Sequence, residues 1–127
     1  MRNFFLISLI FILISSCSNY DNPQEMIEKT MNSFYKSLNK RDFETMKLYV
    51  SPIMQQKVSY FKNIGDELVV YKSFKVRNIE LNGNLAVVEL ECVDEFDNKI
   101  ICNWNLVKVD DEWKIDVFDF SSTESLN

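Results

Sequence analysis

The feature that most constrains the fold of this chain is a change in hydrophobic periodicity near Gly65. Before that glycine, apolar residues recur every three or four positions, as they do on the buried face of a helix. After Leu68 they alternate with polar residues, as they do in strands that bury one face. Helices followed by strands, with no helix between the strands, predict an α+β domain with an antiparallel sheet.

Capping signals divide the first half into three helices. Asn22 and Pro23 begin the first, because asparagine caps well and proline suits the first helical position. Its apolar face is predicted to comprise Ile27, Met31, Phe34 and Leu38. Asp42 can cap the second helix, and Ser51-Pro52 begins the third. The third helix is predicted to reach about Asn63, and its apolar residues are Ile53, Val58 and Phe61.

Turn signals divide the second half into successive antiparallel strands. Asn82-Gly83 is a strong signal for a two-residue hairpin loop, which would set Ile79 opposite Ala86. Asp110-Asp111 indicates a second two-residue loop. The pairs predicted for that last hairpin are Val109 with Glu112, Leu106 with Ile115, and Trp104 with Val117.

The middle hairpin bears on two cysteines. Cys92 and Cys102 lie on the apolar faces of neighbouring strands. Directly opposed residues point to the same side of the sheet, so both apolar faces lie on one side only if the loop has an odd number of residues. A loop of Phe96-Asp97-Asn98 meets that condition and sets Cys92 opposite Cys102. A cross-strand disulfide is then possible if the pair is not hydrogen-bonded. The alternative is two buried thiols that act as small apolar residues.

An apolar run precedes the remaining cysteine, Cys17. Residues 4–14 are interrupted only by Ser8, and Arg2 is the only charge before them. This run is well short of the roughly 20 apolar residues of a spanning helix, and its length suits a signal peptide. Its end, Leu13-Ile14-Ser15-Ser16-Cys17, resembles a lipobox, the signal that is cleaved before the cysteine of bacterial lipoproteins.

The lipobox resemblance implies a lipid on Cys17 and a location at the bacterial cell envelope, outside the cytoplasm. If the organism has two membranes, Ser18 favours the outer one. A buried N-terminal helix and an uncleaved anchor are the alternatives. The predicted organisation is a signal peptide over 1–16, a lipidated tether over 17–22, an α+β domain over 23–120 and a disordered tail over 121–127.

The charge of the chain argues against a nucleic-acid partner. Loss of residues 1–16 removes Arg2, which takes Lys and Arg from 14 to 13 against 19 acidic residues. Affinity for nucleic acid comes from clusters of Lys and Arg, and none occurs here. An acidic domain also has no electrostatic reason to lie flat on an anionic membrane.

The residue types argue against catalytic and metal sites. The chain has no histidine, so Ser-His-Asp and Cys-His arrangements and histidine-ligated metals are excluded. Its two glycines, Gly65 and Gly83, form no phosphate-binding loop. We therefore predict no catalytic residue, no metal and no cofactor. Asp94 shares the inner face of its strand, but its place at the hairpin end indicates a rim position.

The predicted inner face of the sheet is apolar and includes both tryptophans. Trp104 and Trp113 are either core residues or the wall of a hydrophobic ligand pocket. In the pocket interpretation, Phe34 and Leu90 complete the lining. Both interpretations stay open.

Three segments carry a resemblance to the nuclear-transport-factor-two-like superfamily, in particular to its small bacterial lipoproteins of unknown function. They are the helical stretch 34–43 with Asp42-Phe43, the hairpin start 82–88, and the closing hairpin 106–115 with Trp113-Lys114-Ile115. The resemblance covers roughly Pro23 to Phe118. It implies N-terminal helices packed on a curved antiparallel sheet of four strands or slightly more, with a cone-like shape and a pocket.

Members of this superfamily include enzymes, ligand binders and interaction modules, so the fold alone does not decide the function. The apolar inner face favours a non-enzymatic binding module for a partner protein or a small apolar ligand, held at the membrane by Cys17. A small enzyme of the isomerase or dehydratase type and a purely structural envelope protein are the alternatives. A partner or a second copy is expected on the outer sheet face, which carries Glu89, Glu91, Asn103, Asn105, Val87, Val93, Ile101 and Val107.

Overall fold

The computed structural model describes residues 22–118 and 124–126. The first half contains the helices α1 (Pro23–Lys40), α2 (Phe43–Met46) and α3 (Pro52–Asn63), with 3₁₀ turns at Lys47–Tyr49 and Gly65–Glu67. The second half contains the strands β1 (Tyr71–Asn82), β2 (Leu85–Asp94), β3 (Lys99–Val109), β4 (Glu112–Val117) and β5 (Glu124–Leu126). The predicted α+β architecture is confirmed. The predicted signal peptide and Cys17 lie outside the described residues.

The helix boundaries follow the capping signals of the sequence. The side chain of Asn22 accepts a hydrogen bond from the backbone N–H of Gln24 at 3.0 Å, which begins α1. Arg41 ends that helix in the left-handed conformation, with a φ of 59°. Asp42 then caps α2 by accepting from the N–H of Thr45 at 3.3 Å. The first two helices are therefore separated by a tight turn.

The apolar residue Ile53 of α3 does not face the core. Its side chain is 78% exposed, whereas Met54, Val58 and Phe61 are buried. Ile53 and Val58 are five positions apart, which is about 140° around a helix, so they cannot share a narrow face. The spacing of four and three that faces the core begins at Met54.

The five strands form one antiparallel sheet with the order β1-β2-β3-β4, and β5 pairs with β3 beyond the end of β4. Residues 124–126 of β5 lie opposite Lys99–Ile101. At these three residues the structure has a strand where the sequence predicts a disordered tail. The backbone of β3 beyond β4 offers unpaired hydrogen-bonding groups that a passing segment can use.

The predicted register of the β1–β2 hairpin is wrong by two residues. Its two-residue loop is Gly83-Asn84, so Asn82 lies opposite Leu85 and Ile79 opposite Val88. Gly83 has a φ of +60°. A glycine at the first loop position is the arrangement that type II′ hairpin turns favour, which accounts for the shift.

The predicted register of the β2–β3 hairpin is also wrong by two residues. Cys92 lies opposite Ile100, and Cys102 lies opposite Leu90. The three loop residues are Glu95, Phe96 and Asp97, one position earlier than predicted. The loop closes at Asp97, which has a φ of 65°.

The β3–β4 hairpin confirms two of its three predicted pairs. Val109 lies opposite Glu112 and Leu106 opposite Ile115, across a loop whose two aspartates both have positive φ. The third pair is wrong, because a bulge between Asn105 and Leu106 places Val117 opposite Asn105.

The helices cover one face of the sheet, called the inner face here, and the core lies between the two layers. The four predicted apolar residues of α1 are all buried. The hydroxyl of Thr30 on α1 donates to the carbonyl of Trp113 at 3.3 Å, and the N–H of Ser51 donates to the carbonyl of Ile115 at 2.9 Å. These two bonds tie the helical layer to the edge strand β4.

Candidate functional site

Aromatic rings fill the space between the helices and the inner face. The ring centroid of Phe34 lies 5.4 Å from that of Trp104 and 5.2 Å from that of Phe118. Trp104 also contacts Phe74 at 5.4 Å and Phe118 at 5.5 Å. These distances are typical of packed aromatic pairs. The cluster therefore forms a core.

The predicted pocket residues lie in two different places. Phe34, Leu90 and Trp104 are completely buried, and none of them lines either of the two grooves described on the surface. Trp113 is 4% exposed and lines the larger groove. The structure thus separates Trp113 from the three residues predicted to share a pocket with it.

The larger groove lies between α1, the Lys47–Tyr49 turn and β4, and has a volume of about 690 Å³. We call it the α1–β4 groove. Local motifs did not reveal it, because its residues come from three distant segments of the chain. It is lined by Glu25, Met26, Lys29, Thr30, Ser33, Leu48, Tyr49, Glu112, Trp113 and Lys114.

The charges of the groove balance. The ammonium of Lys114 pairs with the carboxylate of Glu112 at 2.9 Å and donates to the carbonyl of Leu48. Within the described part of the chain, Lys29 and Glu25 have no ion pair. The indole Nε1 of Trp113 is buried and has no hydrogen-bond acceptor among the residues that the structure describes. Unpaired buried donors are costly, and the burial of this N–H keeps it from the surface of the groove.

The outer face of the sheet carries a second candidate surface, the outer patch, formed by Leu85, Val87, Val107 and Val117. Leu85 lies directly opposite Val107, and Asn105 lies between Val87 and Val117. Leu85 is 57% exposed, Val117 47% and Val87 39%. Several exposed apolar side chains close together on one sheet face suit an interaction site.

Elsewhere on the outer face the side chains are either polar or at least half-buried. Arg77 and Glu89 form an ion pair at 3.5 Å, and Lys75 lies opposite Glu91. Asn103 and Asn105 are exposed as predicted. Ile101, which was expected on the open face, is 7% exposed, and Val93 is half-buried.

The two cysteines of the domain are free and buried. A hydrogen bond between their thiols, reinforced by burial, raises the pKa of Cys92. A thiol with a raised pKa is a poor nucleophile, so this pair behaves as part of the core. The structure contains no disulfide here, and oxidation of the pair stays a prediction.

Asp94 closes the β2–β3 loop. Its Oδ1 accepts from the N–H groups of Phe96 and Asn98, both at 2.9 Å, and its Oδ2 accepts from the Asn98 amide at 3.0 Å. Burial raises the pKa of Asp94, but these bonds and the charge of Lys72 outweigh it and hold the pKa below its usual range. An ionised carboxylate with three donors is a structural cap.

We expect Asp94→Asn to destabilise the domain at neutral pH and to lose that effect in acid. The pKa of Asp94 in the folded state lies below the unfolded value of about 3.9. The ionised carboxylate therefore makes its full contribution to the free energy of unfolding above the unfolded pKa. It disappears as the pH falls through the folded-state pKa. Urea denaturation at pH 7 and pH 3 measures this difference. Glu95→Gln removes the same charge one position away and should change stability little at either pH.

The described residues include no group of three or more His, Cys, Asp or Glu side chains placed to hold a metal ion. Among the same residues, no helix is both long and apolar enough to cross a membrane.

The hydroxyl of Tyr35 donates to the carbonyl of Tyr71 at 2.8 Å, and its ring stacks on Phe74 at 4.9 Å. These tyrosines therefore pack the rim of the core.

Solved structures resemble this chain in fold. A Campylobacter jejuni protein, provisionally described as an NTF2-like transpeptidase, matches 77% of this chain and all of its own, with 18% identity and a TM-score of 0.54. An NTF2-like protein of unknown function from Shewanella baltica OS155 matches 76% of this chain and 92% of its own, with 17% identity and a TM-score of 0.56. No family model and no curated protein matches the sequence. The chain therefore has an NTF2-like α+β fold.

Proposed function

We propose that this chain is a lipid-anchored protein of the bacterial cell envelope whose NTF2-like domain binds a protein partner without catalysing a reaction. The partner to which we commit is a second copy of the chain. The observation that carries the proposal is the contrast between the two sheet faces. The inner face is filled by aromatic rings, whereas the outer patch exposes apolar side chains.

The filled inner face supports a non-enzymatic role. An isomerase or dehydratase needs space for its substrate beside an acid or base. Here Trp104 occupies that space, and Asp94 at its margin is committed to three hydrogen bonds. The activity named for the Campylobacter neighbour is an acyl transfer, which needs an activated nucleophile. Burial and the raised pKa of Cys92 disfavour the cysteine pair in that role.

The anchor is supported by the lipobox-like motif and by the place where the domain begins. Helix α1 begins at Pro23, six positions after Cys17. An extended chain spans at most about 3.5 Å per residue, so the tether reaches no further than about 20 Å. A lipid on Cys17 would hold the domain against the membrane surface.

The outer face suits a second copy because it is self-complementary. Its apolar outer patch lies beside charged side chains of both signs, with Lys75, Arg77 and Glu80 on β1 and Glu89 and Glu91 on β2. In a two-fold pair the patches would pack on each other, and basic residues of one copy would face acidic residues of the other. Two-fold contacts of this kind are the commonest in homo-oligomers.

We expect Val87→Lys to convert a dimer into a monomer. The substitution places one charge of each copy in the centre of the buried contact. An unpaired buried charge costs about 3 kcal/mol or more, which weakens dimerisation more than a hundredfold. Sedimentation velocity in a density-matched detergent measures the mass of the protein.

Ile53→Lys is the matched control, because it introduces the same charge at an exposed apolar residue of α3, away from the sheet. It should leave the dimer intact. Circular dichroism verifies that each variant is folded, and Val107→Lys provides a second disruption of the same patch. A monomeric parent protein at tens of micromolar, or a dimer insensitive to both patch variants, would contradict the proposal.

A further inference from the structure

We infer that the α1–β4 groove binds the headgroup of a zwitterionic phospholipid of the membrane that holds the protein. The inference rests on the proposed lipid anchor and adds a second contact with the same membrane. Its ligand chemistry is a phosphate and an ammonium group joined to an apolar body.

The groove lies beside the end of the domain that the tether reaches. Its α1 residues, from Glu25 to Ser33, begin three positions after Asn22. At 1.5 Å per residue, Lys29 is about 10 Å along the helix from that point. A tether no longer than about 20 Å therefore brings the groove close to lipid headgroups.

The apolar side chains of the groove are of the kinds found at membrane interfaces. Trp113 and Tyr49 line it, and tryptophan and tyrosine are enriched where proteins meet lipid headgroups. Leu48 is 60% exposed on the turn that forms one wall. A leucine in that position can enter the boundary between headgroups and acyl chains.

The charged side chains match a zwitterion. Lys114 is neutralised by Glu112, which leaves Lys29 and Glu25 as the groove charges without an ion pair in the described part of the chain. Lys29 can bind a phosphate, and Glu25 can bind an ammonium.

The balance of charge determines which lipids fit. The chain is acidic overall, so an anionic surface repels it. A zwitterionic surface has no such cost, and the groove itself contains two acidic and two basic residues. Binding should therefore be stronger on phosphatidylethanolamine vesicles than on phosphatidylglycerol vesicles.

The test uses the two tryptophans of the chain. Lipidated protein is reconstituted into phosphatidylethanolamine vesicles whose acyl chains carry bromine near the headgroup, which quenches tryptophan fluorescence at close range. The emission of Trp113 should be quenched in the parent. In Trp113→Phe the remaining emission comes from Trp104, which is completely buried, and it should not change.

Two charge variants on one helix complete the test. Lys29→Glu, in the groove, should reduce the quenching at least twofold, and Lys36→Glu, outside the groove, should leave it unchanged. Replacing half of the lipid by phosphatidylglycerol should also reduce it. Protein that floats with the vesicles but has unquenched Trp113 would overturn this inference and leave the anchor intact. Protein without the mass of a lipid on Cys17 would instead refute the proposed anchor.

Discussion

Trp104→Ala should destabilise the domain by about 3–5 kcal/mol, the range measured for truncation of a buried aromatic residue. Trp104 is completely buried and lies within 5.5 Å, centroid to centroid, of Phe34, Phe74 and Phe118. Removal of the indole leaves a cavity between Phe34, Phe74 and Phe118, which the surrounding packed core can close only in part. Small domains have a total stability of about 5–15 kcal/mol, so the loss is a large fraction of it.

Urea denaturation followed by circular dichroism measures this effect, and the midpoint should fall by about 2 M. Phe96→Ala is the matched control, because Phe96 is an aromatic residue that is 69% exposed at a hairpin loop. Its effect should remain within about 0.5 kcal/mol. If Trp104→Ala costs less than about 1 kcal/mol, the interior is not tightly packed and the argument against a ligand pocket inside the domain fails.

Cys17→Ala should abolish lipid attachment and, in protein from which residues 1–16 have been removed, release the domain from the membrane. The diacylglyceryl group and the further acyl chain of a lipoprotein both depend on this residue. Several acyl chains together anchor a protein firmly, whereas the acidic domain has no electrostatic attraction to an anionic surface. Labelling with radioactive palmitate and fractionation of membranes measure the two effects.

Cys92→Ala is the control for this experiment, because it removes a different thiol and leaves the lipobox-like motif intact. It should retain the label of the parent. Equal labelling of the parent and Cys17→Ala would refute the anchor. The proposed location at the cell envelope would then have no support.

The sequence predicted the faces of the strands better than their register. Ala86, Val88, Leu90 and Cys92 were expected on the inner face, and all four are buried. Yet two hairpins were placed two residues out of register. A shift of two residues returns every side chain to the same face, so the hydrophobic pattern is insensitive to it.

The turn residues determine the register of each hairpin, and the sequence predicted only some of these turns correctly. Asn82-Gly83 and Gly83-Asn84 are both acceptable two-residue loops, and the structure uses the second. The β2–β3 loop is fixed by the hydrogen bonds of Asp94, a residue that the sequence placed only at the rim. The bulge beside Asn105 had no sequence signal at all.

The α1–β4 groove was beyond local sequence reasoning for a different reason. It joins residues near position 25 to residues near positions 48 and 113, so it exists only after the sheet and helices pack. Trp113 was recognised as an inner-face residue, but its neighbours in the groove were not. The outer patch was partly foreseen, since Val87 and Val107 were expected on the outer face.

The contact between Phe34 and Phe118 has a consequence for the order of events when the protein is made. The two rings lie 5.2 Å apart although they are at opposite ends of the domain sequence. A ribosome synthesises the N-terminal residues first, so the core around Phe34 stays incomplete until the last strands emerge. Until Phe118 has emerged, apolar surface of the unfinished core stays exposed, and this makes the growing chain prone to aggregation.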